Sequence, residues 1–150
     1  MSDTAPSLGV PVPIEASHEL GRGTIGTHRA RDEGRRERAR ASECLSARVY
    51  VVCPIDDPHR VIGYFAISAG AEQRLALPTA RLRRGMPENV PLLLVGRLAV
   101  DRQWQGRGIG SALLADALRR CLAASEIAGV RGVIAHAIDE AAAGFYQRHR

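Results

Sequence analysis

The chain has 150 residues, 45% of them hydrophobic and only 4% aromatic, enough for one domain cored by Leu, Val, Ile and Ala and too few for two. No apolar run approaches the roughly 20 residues of a membrane-spanning helix, and the opening MSDTAPSLGVPVPIE has no basic patch followed by an apolar stretch, so neither a membrane protein nor a secretory leader is expected. The formal net charge is +5 and all 21 basic residues are Arg; either GC-rich codon usage or an anionic partner held by guanidinium groups accounts for this, and charge alone does not separate them.

In chain order, the first 14 residues read as an irregular lead-in. RARDEGRRERAR (29–40) carries six Arg and three acids with two Ala as its only apolar residues, so it has no face to bury and reads as solvated helix or disorder. From Glu43 the character changes. ARVYVVC (47–53) is β-branched and aromatic and predicts a strand; PIDDPH (54–59) is dense in turn formers; RVIGYFAIS (60–68) predicts the second strand of a hairpin. Residues 70–90 read as loop, broken by Gly70, Pro78, Gly85 and Pro87, with Arg81, Arg83 and Arg84 clustered. PLLLVGRLAV (91–100) is the near-continuous apolar run of a strand covered on both faces. Over 109–128, Leu113, Leu114, Ala117, Leu118, Cys121 and Leu122 recur at helical spacing, and Gly129 suits a helix stop. VRGVIAHA (130–137) predicts another strand, and Asp139 can cap a last helix from Glu140 to about His149. Strand, helix and strand over 91–137 form a βαβ crossover, which makes its two strands parallel. Cys44, Cys53 and Cys121 are scattered and lack metal-ligand spacing, which predicts reduced thiols in a cytoplasmic protein and no metal.

The chemistry-bearing stretch is QGRGIGS, comprising Gln105, Gly106, Arg107, Gly108, Ile109, Gly110 and Ser111. Glycines let backbone N–H groups approach a ligand with no Cβ in the way. At a helix start those N–H groups have no partner inside the helix, and the helix dipole adds positive potential. A phosphate meets both needs, with Arg102 and Arg107 as added charge. The spacing is not the dinucleotide fingerprint, and a chain without Lys cannot complete an ATP-binding P-loop. A glycine-rich turn with no ligand fits the same residues.

GRLAVDRQWQGRGIGSALLADALRRCLAASEIAGVRGVIAHAIDEAAAGFYQRH (96–149) resembles the GNAT N-acetyltransferases. Their phosphate loop, Q/R-x-x-G-x-G/A, is met by Gln105, Gly108 and Gly110, after a strand ending in LAV and before a helix opening SALLADAL. Together with the upstream YVVC and RVIGYFAISAG, the pattern resembles the subgroup of toxins from type II toxin–antitoxin pairs that acetylate aminoacyl-tRNA. The resemblance covers roughly residues 47–149. It implies an α/β (α+β) fold, a mixed sheet with flanking helices that lacks the family's last two strands, and so a chain truncated at its C-terminus. The division expected is an irregular, charged segment over 1–46 and an acetyltransferase core over 47–150.

The resemblance implies acetyl-CoA as co-substrate, its pyrophosphate on the 105–111 loop and its pantetheine arm along the strand backbone at Leu98 and Val100. It implies aminoacyl-tRNA as acceptor and a ribbon-helix-helix antitoxin as partner. Tyr146 matches the family's tyrosine in FY and would protonate the leaving thiolate; its unperturbed pKa of about 10 keeps it protonated at neutral pH. Packing of the last helix is the competing role for Tyr146. No general base stands out: His136 reads as structural, and Asp139 and Glu140 as helix-start residues. Trp104 precedes the loop and could cover it. Arg97 lies inside an apolar strand and needs a partner, either substrate phosphate or an internal acid. Arg81, Arg83, Arg84, Arg119 and Arg120 are candidates for tRNA contact, each equally readable as solvated charge. The alternatives are an acetyltransferase for a small amine or a protein N-terminus, or a remnant that only binds. With the last strands lacking, the edge at 130–137 predicts a homodimer or aggregation.

Overall fold

The computed structural model describes residues 7–20, 47–137 and 139–149; the charged stretch at 29–40 and Cys44 lie outside the described residues. A five-stranded sheet, in the order β1-β3-β5-β6-β7, is built from β1 (Val12–Pro13), β3 (Ala47–Val52), β5 (Gly63–Gln73), β6 (Asn89–Val100) and β7 (Val133–Ala135). Its first four strands are antiparallel neighbours and β7 joins β6 in parallel, as a βαβ crossover requires. A second pair of short strands, β2 (Glu19–Leu20) and β4 (Arg60–Val61), runs parallel. The helices are α1 (Ala80–Arg83), α2 (Ile109–Ala128) and α3 (Glu140–Arg148).

Several expectations shift. The stretch over 70–90 is not loop throughout: β5 runs on to Gln73, a 3-10 turn covers Arg74–Ala76, α1 follows, and β6 begins at Asn89. The β5–β6 ladder holds from Gly63 opposite Val100 to Gln73 opposite Asn89, so pairing with a long partner overrides the weak local signal at Gly70. The strand expected over 130–137 contracts to Val133–Ala135. The lead-in is partly ordered by pairing: Val12 and Pro13 lie opposite Val51 and Tyr50, and Arg120 on α2 donates to the Pro11 carbonyl at 2.9 Å while it holds Asp116 at 2.7 Å and caps the Tyr50 ring at 4.0 Å.

Strand alternation gives the sheet two apolar faces. One carries Val52, Phe65, Leu93 and Val95 and is covered by α2 through Ile109, Leu113, Ala117 and Cys121. The other carries Val49, Val51, Tyr64 and Ala66, joined by Ile14 and Val61. The helix meets the sheet closely at Gly63, where a Cβ would stand 2.9 Å from Leu113 Cδ1. The buried stripe of α2 is narrower than its periodicity suggests: Leu118 and Leu122 are 40% and 64% exposed.

Candidate active site

The site is assembled at the C-terminal end of β6. Val95 pairs with Ile67 of β5 and Arg97 with Ala66, so Gly96 is an extra residue between them, a β-bulge. The bulge reverses the side-chain alternation. Leu93 and Val95 face α2 before it, and Leu98 and Val100 face α2 after it. Without it Arg97 would enter that core; instead it lines a groove on the opposite face with Ala47, Val49, Tyr64, Ala66 and Ser68. No internal acid meets Arg97 among the described residues. Gly96 is the one local hint, since a lone Gly inside a strand pattern suggests a bulge, but which residues it re-aims is set by the register against β5.

The bulge also re-aims the backbone. Asp101 donates its N–H to the Ile62 carbonyl at 2.7 Å, so by alternation Ala99 and Arg97 bond toward β5, and Leu98 and Val100 point their N–H and C=O groups to the other side. On that side β7 pairs only with Leu93, Leu94 and Val95. The ladder stops at Val95 because β7 itself ends at Ala135, and on that side Leu98 and Val100 have no strand partner among the described residues. One of those groups is used: Gln105 Nε2 donates to the Val100 carbonyl at 3.0 Å. The Gln105 side chain therefore ties the loop back to the strand end.

From β6 the chain turns through buried Asp101, whose carboxylate accepts from the Gln103 N–H at 2.8 Å and caps a 3-10 turn over Arg102–Trp104. Arg107 sits over the Trp104 ring at 5.2 Å. Gly106 and Gly108 hold φ of 74° and 77°, the left-handed region in which a Cβ is strained. That geometry turns the chain into α2 with its first N–H groups outward. The first bond of the helix runs from the Ala112 N–H to the Gly108 carbonyl at 3.1 Å, so the N–H groups of Ile109, Gly110 and Ser111 have no partner within it. Three donors and the positive end of a 20-residue helix make a site for an anion.

Tyr146 lies on α3, which Asp139 caps by accepting from the Ala142 N–H at 2.8 Å. Its neighbour Phe145 packs on the start of α2, its ring 3.5 Å from where a Gly110 Cβ would stand. Tyr146 meets Phe145 edge-on at 5.4 Å, and burial pushes the Tyr146 phenol up from its ordinary value. The Ser111 hydroxyl is not free for a ligand: it bonds His149 Nε2 at 2.8 Å, a residue the sequence reading left without a role. His136 lies exposed past the end of β7. Of the arginines proposed for tRNA, Arg120 is committed to Asp116, Pro11 and Tyr50, and Arg83 donates to the Leu77 carbonyl at 2.8 Å. Arg119 is 75% exposed and touches Asp116 at 3.5 Å. No cluster of His, Cys, Asp and Glu able to hold a metal occurs among the described residues.

Residues 46–149 match the acetyltransferase (GNAT) domain. The chain belongs to this family. As a GNAT acetyltransferase it is 41% identical to a tRNA-acetylating toxin from Mycobacterium tuberculosis over 116 residues, 77% of this chain and 68% of that protein. Among solved structures, that of AtaT complexed with acetyl-methionyl-tRNAfMet matches this GNAT chain with a TM-score of 0.83 at 28% identity, over 95% of this chain and 85% of that one. That of AtaTR bound with AcCoA matches with a TM-score of 0.76 at 28% identity, over 94% and 83% of the two chains. The GNAT fold and acetyl-CoA-dependent transferase chemistry expected from the sequence stand. No helix among the described residues is long and apolar enough to cross a membrane.

Proposed function

We propose that this GNAT acetyltransferase is the toxin of a toxin–antitoxin pair and moves acetyl from acetyl-CoA to the amino group of aminoacyl-tRNA. The observation that carries the cofactor reading is the stretch of β6 beyond its ladder with β7, where Leu98 and Val100 have no strand partner, leading to the N–H groups of Ile109, Gly110 and Ser111, which have no partner within α2. An extended pantetheine arm fits the first part, as an added strand would. A pyrophosphate fits the second. Gly106 and Gly108 set the turn, Gln105 fixes it to the strand, and Arg107 adds charge. The acceptor follows from likeness to the tRNA-acetylating toxin and to the complex with acetyl-methionyl-tRNAfMet.

Acetyl-CoA supplies the acetyl group as a thioester. The amine must arrive neutral, because its lone pair forms the new C–N bond as the C–S bond breaks. The Tyr146 hydroxyl gives its proton to the departing sulfur, and the proton that the amine nitrogen sheds as the amide forms restores the phenol by way of solvent. Burial of the phenol supports this role, since a raised pKa keeps the proton in place throughout the neutral range. Residues 47–150 form the catalytic core, a ribbon-helix-helix antitoxin is the silencing partner, and the protein acts in the cytoplasm. The free, buried Cys53 and Cys121 accord with a reducing compartment.

The test is direct. The purified chain is incubated with labelled acetyl-CoA and charged bulk tRNA, with amino acid amides and N-terminal peptides in parallel. Label recovered as acetyl-aminoacyl-tRNA, and lost when the tRNA is deacylated first, is expected. Transfer to amides or peptides alone overturns the assigned acceptor.

A further inference from the structure

We infer that His149 is a positioning residue for this reaction: its imidazole pins the helix that carries Tyr146 to the cofactor-binding turn of α2. The inference rests on the reading of Tyr146 as the proton donor. His149 closes α3, its N–H bonded to the Tyr146 carbonyl at 3.1 Å. Both ring nitrogens are engaged, Nδ1 with the Phe145 carbonyl at 2.8 Å and Nε2 with Ser111 Oγ at 2.8 Å. A carbonyl can only accept, so Nδ1 carries the proton of the neutral ring. Nε2 is then the acceptor, and the Ser111 hydroxyl donates to it. The contact thus fixes one tautomer and one rotamer, and spans 38 residues of sequence.

Among the described residues no other hydrogen bond or ion pair joins α3 to another element. Phe145 adds an apolar attachment: its ring tilts against the His149 ring with centroids 4.7 Å apart and lies 3.5 Å from where a Gly110 Cβ would stand. Tyr146 meets Phe145 edge-on. His149 is exposed, so its ring adds little buried area and its value lies in the two bonds. The same Ser111 whose N–H faces the pyrophosphate gives its hydroxyl to the helix of the proton donor. Cofactor turn and tyrosine therefore share one rigid corner, and the tyrosine's distance to the thioester sulfur depends on it.

The experiment compares His149→Ala, His149→Gln, Ser111→Ala and Tyr146→Phe in the full chain, with two readouts. Hydrogen exchange of the amides in Glu140–Arg148, without any ligand, is expected to quicken roughly 2- to 10-fold in His149→Ala, which loses both ring hydrogen bonds. It should quicken by less in Ser111→Ala, where the bond of Nδ1 to the Phe145 carbonyl remains, and the double variant should be no faster than His149→Ala. In turnover, kcat in His149→Ala should fall by about tenfold through misplacement of the donor, while the acetyl-CoA dissociation constant from calorimetry stays within about twofold. His149→Gln, which reaches Ser111, should recover most of the loss. Unchanged exchange, or unchanged kcat beside a Tyr146→Phe variant that is slow, overturns the role of His149. Quickened exchange with Tyr146→Phe turning over at the original rate overturns the Tyr146 reading instead.

Discussion

Gly108 stands at φ 77° with no atom within 4 Å of the place a Cβ would take. Its constraint is therefore the backbone, not space. A side chain there costs about 1–2 kcal/mol in the left-handed region and tilts the N–H groups of the first turn. Gly108→Val should leave a folded protein whose acetyl-CoA affinity drops by roughly 10- to 100-fold, the loss of one charge-assisted hydrogen bond. Calorimetry with unaltered affinity would remove the loop from the site. Tyr146→Phe deletes a hydroxyl and little volume, so kcat should fall about 10²–10⁴-fold with little change in cofactor affinity. Because burial raises the phenol's pKa, the original enzyme should not lose this donor on the alkaline side until beyond about pH 10. A kcat profile falling with an apparent pKa near 8 would point to another group. QGRGIGS and FY carry the proposed chemistry in the sequence, whereas His149 has no such signal, because its partner Ser111 is near only once α3 folds over α2.

Among the elements, β7 is one edge of the sheet formed by the described residues, with β1 at the other. It pairs with β6 over three residues, and Val133 is 40% exposed. Apolar edges invite pairing with a second chain. Self-association that rises with concentration is expected, and Val133→Lys, which places a charge on that edge, should reduce it. Light scattering of both proteins at matched concentrations checks this; identical scattering would assign the contact to another surface. β6 is the element the sequence described least well. Its apolar run was evident, but the bulge at Gly96 decides which of its residues face α2 and which face the opposite side of the sheet, and a bulge is defined only against the partner strand. α2 is the opposite case, since its start at Gly108, its stop at Gly129 and its buried Leu113, Ala117 and Cys121 all follow from local spacing. Only its exposed Leu118 and Leu122 escaped the pattern.

For the whole molecule, the buried thiols set an alkaline limit. Burial pushes Cys53 up, with Asp57 adding to it, and burial alone pushes Cys121 up. Each group therefore binds its proton more tightly when folded. The stability they contribute is fully present below the unfolded thiol value of about 8.5 and is lost as pH rises through the raised folded values. Tyr146 acts in the same direction at higher pH. Urea midpoints should thus fall between pH 8 and pH 10.5, and both thiols should react with a thiol reagent only as fast as the chain unfolds. Fast labelling mapped to Cys53 or Cys121, rather than to Cys44, at pH 8 in the folded state would refute the burial of that thiol.

The sequence alone determined the two long helices α2 and α3, their caps, the glycine turn and the parallel crossover, chiefly through contacts a few residues apart: i to i+4 spacing, a capping carboxylate, a left-handed glycine. Tertiary structure decided the rest. The register of β6 on β5 turned Arg97 out of the core, the end of the β6–β7 ladder at Val95 left Leu98 and Val100 without a strand partner, and the docking of α3 brought His149 to Ser111. These depend on which strands and helices become neighbours, and no local pattern carries that information.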